Sequence, residues 1–116
     1  MAVDFVRNYC KSLPHVTETV QWGNDLVFKI GGKMFALAAL EPSAVWLSFK
    51  CSPDDFADLT ERPGIIPAPY LARAKWVALE TEDALSAADL KRYLRQSYDV
   101  VRAGLPKKAQ AALGGG

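Results

Sequence analysis

One histidine, two cysteines and a pair of adjacent aspartates are the residues of this 116-residue chain best suited to covalent or acid–base chemistry. His15 is the only histidine, so neither a two-histidine metal site nor an HExxH arrangement can be built. It follows Pro14 in a predicted turn with no partner in sequence to tune it, and reads as a surface histidine rather than a general base. Cys10 falls on the apolar stripe of a predicted helix and Cys51 at the end of a predicted strand; both read as small buried hydrophobes. Two cysteines so far apart make no disulfide framework, and a reduced, cytoplasmic setting is expected. Asp54 and Asp55, adjacent on a helix, point in different directions and cannot act as a carboxylate pair alone. No GxSxG, GxGxxG or Walker sequence is present. The expectation is a protein with no catalysis, no cofactor and no metal.

Binding chemistry is better represented. The net charge is only +1, but its distribution is uneven. Residues 51–90 hold eight acids against three bases, whereas residues 91–116 hold six bases against Asp99 alone. Arg92, Arg95 and Arg102 recur along one predicted helix, opposite its apolar side, and Lys107 and Lys108 extend the run. Lys29 and Lys33 flank Gly31-Gly32, making the tip of a predicted hairpin a candidate basic wing. Cations so spaced can match backbone phosphates and release counterions, so DNA is the expected partner, without base-specific readout. The alternative is a small-ligand or peptide site between an open sheet face and the Pro67-Ala68-Pro69-Tyr70 loop. There Trp22, Trp46, Tyr70 and Trp76 would form apolar walls, and Lys33, Lys50 or Lys75 would hold an anion.

Positioning these residues requires a fold, and the chain is long enough to make one. Half its residues are hydrophobic and 23% are charged, the balance of a globular domain that needs no staple. No apolar run approaches the about 18–20 residues of a membrane span, the N-terminus has no signal-peptide character, and a monomer is expected. Val3, Val6, Tyr9, Cys10 and Leu13 set a helical stripe that Pro14 ends. Four strands should follow as an antiparallel meander: Val16 to Gln21, Leu26 to Ile30, Lys33 to Leu40 and Ala44 to Lys50. Ser52 or Pro53 opens a short acidic helix. Three prolines between Pro63 and Pro69 predict a stiff packed loop, with Tyr70 as part of the lid. Lys75 to Glu80 reads as a fifth strand, and Ser86 caps a long helix whose core side is Leu90, Tyr93, Leu94, Ser97, Val101 and Leu105. The layout is α-β-β-β-β-α-β-α, an α+β domain over residues 1–108. About five antiparallel strands carry the N- and C-terminal helices on one face, and residues 109–116 form a frayed tail.

The stretch Thr19-Val20-Gln21-Trp22-Gly23-Asn24-Asp25-Leu26-Val27-Phe28-Lys29-Ile30-Gly31-Gly32-Lys33-Met34-Phe35-Ala36 resembles the signature of the MmcQ/YjbR family. So do Gly64 to Ala72, Lys75-Trp76-Val77, Ser97 to Val101 and Leu105-Pro106-Lys107-Lys108, in the family's order. This resemblance implies a small bacterial protein with a fold similar to that of CyaY and frataxin, a DNA-binding label through a supposed double-wing motif, and no established enzyme activity. The frataxin likeness also raises iron binding through an acidic ridge on the first helix. Here that helix offers Asp4 alone, beside Arg7 and Lys11, and a hard cation needs several oxygen ligands. No metal is therefore expected.

Overall fold

The computed structural model describes residues 2–113. Helix α1 (Ala2–Ser12) turns Val6 and Cys10 inward and stops ahead of Pro14. Four antiparallel strands follow as a meander: β1 (Thr17–Gln21), β2 (Asp25–Ile30), β3 (Lys33–Ala39) and β4 (Leu47–Lys50). Helix α2 (Pro53–Leu59) starts where the Ser52 hydroxyl accepts a 3.1 Å bond from the Asp55 amide. Strand β5 (Ile65–Pro67), a single 3-10 turn at Ala72–Ala74 and strand β6 (Trp76–Leu79) complete the sheet. Ser86 caps α3 (Ala87–Ala103), accepting from the Asp89 amide at 3.1 Å. A further helix, α4, spans Lys107–Ala112.

The strands lie in the order β1-β2-β3-β4-β6-β5, every neighbouring pair antiparallel, so the sheet has six strands rather than about five. The extra strand is drawn from the proline-rich stretch. It sits at the sheet edge and pairs with β6 alone, the position where a strand tolerates a proline.

Helices α1 and α3 cover one sheet face. Between helices and sheet lies the main core, including Val6, Cys10, Phe28, Phe35, Phe49, Leu94 and Tyr98. Ser97, fully buried on α3, ties the layers together: its hydroxyl donates to the Phe35 carbonyl at 2.5 Å and accepts from the Lys50 amide at 3.1 Å. The Tyr98 hydroxyl donates to the Pro14 carbonyl at 2.7 Å, fixing the end of α1 to the C-terminal half of α3.

On the opposite face the segment after β5 folds down as a lid. Ala68, Trp76 and Ala78 form a second buried cluster, with Met34, Leu37, Val45, Ile66 and Leu71 packed around it. Trp76 is only 4% exposed and is part of this core, not the wall of an open groove. Tyr70 reverses the expectation for the lid: its backbone is left-handed (φ 66°) and its side chain is fully exposed.

The chain end also differs from the sequence reading. Instead of fraying from Ala109, α4 continues to Ala112, with Ala109 and Leu113 against the main core and the Gln110 amide donating to the Leu105 carbonyl at 2.7 Å. Pro106 starts this new turn, and the alanines after it have the highest helix propensity of any residue. The remainder of the expected tail, residues 114–116, lies outside the described residues.

Candidate nucleic-acid interface and sheet-face groove

The basic residues are sorted by a close approach between the β2–β3 hairpin and the C-terminal end of α3. Gly31, at φ 60°, lies so near Leu105 that a Cβ on Gly31 would stand 2.6 Å from Leu105 Cδ1. The hairpin bearing Lys29 and Lys33 therefore packs against the joint that carries Arg102 on one side and Lys107 and Lys108 on the other. Residues 26–40 and 100–113 contain no aspartate or glutamate, so two acid-free segments with five cations meet at this end of the molecule. The Arg102 guanidinium donates to the Tyr98 hydroxyl at 2.9 Å, which holds it at that end.

Arg92 and Arg95 belong to a different electrostatic setting. Arg92 pairs with Asp89 at 3.1 Å and Arg95 with Asp99 at 3.1 Å, each partner on the same helix. The Asp89 carboxylate holds the Arg92 guanidinium above its ordinary value, first by hydrogen bonding. Lys91, which sequence reasoning passed over, sits above the Phe5 ring at 5.5 Å and the Tyr9 ring at 5.9 Å. The i,i+3 and i,i+4 spacings that produce both arginine pairs were visible in the sequence.

The residues assigned to an apolar ligand site separate. Trp22, 67% exposed, stands in the β1–β2 turn, and Lys33 lies at the hairpin. Lys50 donates to the Ala74 carbonyl at 2.6 Å, and Lys75 lies 5.1 Å above the Phe56 ring, so both ammonium groups are engaged locally. Only Trp46 and Tyr70 of that set line the groove beside the lid, a space of about 370 Å³ shared with Leu37, Val45, Pro69 and Leu71. Its charged wall is Asp25, an acid where the sequence reading had placed lysines.

The YjbR family model matches residues 11–100. This chain belongs to the YjbR family. It is 28% identical over 85 residues to the uncharacterized protein YbdF of Escherichia coli O157:H7, covering 72% of this chain and 70% of that one. Its structure is similar to the crystal structure of Deinococcus radiodurans protein DR2400, a DUF419 domain. The two share 32% identity and superpose with a TM-score of 0.85 over 97% of this chain and 87% of that one. The matched stretch contains Lys29, Lys33, Arg92, Arg95 and every residue named for the groove, whereas Arg102, Lys107 and Lys108 lie beyond it.

The nucleophile candidates of this YjbR-family chain are both held protonated at neutral pH. Burial pushes the Cys10 thiol up to about 12. Burial, reinforced by Asp55, pushes Cys51 up to about 11, and its thiol donates to the Lys75 carbonyl at 3.3 Å. His15 adopts a left-handed backbone (φ 64°) next to the Pro14 carbonyl that Tyr98 engages. Among the described residues no three His, Cys, Asp or Glu side chains gather as a metal site, and no helix is long and apolar enough to cross a membrane.

Proposed function

We propose that this YjbR-family protein is a non-catalytic, cytoplasmic, monomeric domain that binds DNA by contacting backbone phosphates from one end of the fold. The observation that carries this reading is the packing of Gly31 on Leu105, which joins the Lys29–Lys33 hairpin to the Arg102, Lys107 and Lys108 segment with no carboxylate in either stretch. Phosphate recognition needs several cations on one surface, and the Gly31–Leu105 contact supports that reading by bringing two distant parts of the chain together. Arg92 and Arg95 contribute less, because Asp89 and Asp99 already offset their charge.

Duplex titration followed by fluorescence anisotropy tests the proposal. Four phosphate contacts give a slope of about −3.6 in log K against log salt, or a loss of about 150-fold between 50 and 200 mM. Absence of binding at the lower salt overturns the DNA reading.

A further inference from the structure

We propose that the groove beside the lid is a binding site for a primary ammonium ion carried on a flat apolar body. Its polar lining holds two groups that nothing among the described residues answers, Asp25 and Ser48, and a third, Gln21, lies beside Asp25 outside the lining. Asp25, at the start of β2, lines the groove and has no ion-pair or hydrogen-bond partner for its carboxylate among the described residues. Directly across on β1 and on the same sheet face, Gln21 has a buried Oε1 with no hydrogen-bond partner. Ser48 lines the same groove and is only 4% exposed, and its hydroxyl likewise has no partner among the described residues.

Asp25 is partly exposed, whereas Ser48 is nearly buried and the Gln21 Oε1 is shut away from water, and a polar group left without a partner in such surroundings is destabilising. A ligand that removes this cost must bring N–H donors and positive charge. An anion meets the Asp25 carboxylate, and a neutral hydrocarbon leaves it desolvated and unpaired. Lys50, on the same strand as Ser48, gives its ammonium to the Ala74 carbonyl instead.

The remaining walls define what the ammonium is attached to. Leu37, Val45 and Leu71 are apolar, Trp46 forms one side, and Tyr70 stands fully exposed at the rim. Tyr70 is held at φ 66°, a conformation disfavoured for a bulky residue, and its ring gains no burial in return. Strained backbone of this kind collects at ligand clamps. An exposed aromatic over a groove with a carboxylate suits stacking on a planar ring and attraction to a cation. At about 370 Å³ the space matches the lower end of small-molecule sites, about 300–1,000 Å³.

Tryptamine, followed by amide chemical shifts and by calorimetry, is the probe. Shifts at Leu37, Val45 and Ser48, with saturation below about 1 mM, are expected. 3-Ethylindole, which lacks the ammonium, should bind at least about tenfold more weakly, and Asp25→Asn should weaken tryptamine by about the same factor, the scale of a lost charge-assisted bond. Tyr70→Ala, at a fully exposed position that cannot unfold the protein, should weaken it several-fold. A blocked peptide with one internal lysine beside a phenylalanine separates the sources: tighter binding than tryptamine assigns a polypeptide side chain, weaker binding a free amine. No groove shifts at about 5 mM tryptamine, or binding unchanged in both Asp25→Asn and Tyr70→Ala, overturns the proposal.

Discussion

Gly31 on the β2–β3 hairpin and Leu105 at the end of α3 are packed so tightly that the hairpin has no room for a side chain there. Gly31 and Gly32 are both left-handed, at φ 60° and 81°, but only Gly31 has a neighbour within reach of a Cβ. Gly32→Ala is therefore expected to cost about 1–2 kcal/mol, the left-handed penalty alone. Gly31→Ala should cost about 2–4 kcal/mol in urea denaturation, because overpacking against Leu105 adds to that penalty. In a Leu105→Ala background the excess should vanish, and an undiminished excess would show that the contact is not its source.

The cation sets can be separated by salt dependence. Lys107→Ala with Lys108→Ala should flatten the DNA-binding slope by about two units, one per lost phosphate contact. Arg92→Ala with Arg95→Ala should flatten it by less than about one unit, since both guanidiniums are paired within α3. Equal effects from the two double variants would contradict an interface built at the hairpin end.

The lid separates two neighbouring aromatics. Trp76→Ala should cost about 3–5 kcal/mol, as large-to-small changes in a core do, because Trp76 fills the second cluster. Tyr70→Ala should change stability by no more than about 0.5 kcal/mol, the range of exposed substitutions. Thermal or denaturant melts of the two variants check both.

Arg7 and Glu18 join α1 to the edge strand β1, with Arg7 Nη2 2.6 Å and Lys11 Nζ 3.4 Å from Glu18 Oε1. The Arg7 hydrogen bond, aided by Lys11, holds the Glu18 carboxyl below its ordinary value. A carboxyl depressed in the fold stabilises above its unfolded pKa of about 4.3, and that contribution is lost as pH falls through the folded value. Glu18→Gln should thus lower the melting temperature at pH 7, with the difference from wild type closing below about pH 4. A constant difference across that range would remove the ion pair as its cause.

Periodicity and turn chemistry made most of the architecture legible. Pro14, the Gly31-Gly32 pair, Ser52 and Ser86 act through their own backbone dihedrals and nearest amides, so α1, the meander and the starts of α2 and α3 follow from local rules. The family signature was likewise readable as a string of residues. Strand β5 was hidden because its three residues carry a proline, and only β6 beside them makes the segment a strand.

The sequence by itself therefore determined the order and kind of most elements, which cations exist, and the absence of a second histidine. The tertiary structure alone decided which cation-bearing segments meet, because residues some seventy positions apart come together only when Gly31 seats against Leu105. It also decided that Trp76 is core while Tyr70 is exposed, and that Asp25 faces a groove with Ser48. The physical reason is range. Propensity, capping and turn preference act over a few residues of chain, whereas burial and charge balance depend on whatever packing brings within contact distance.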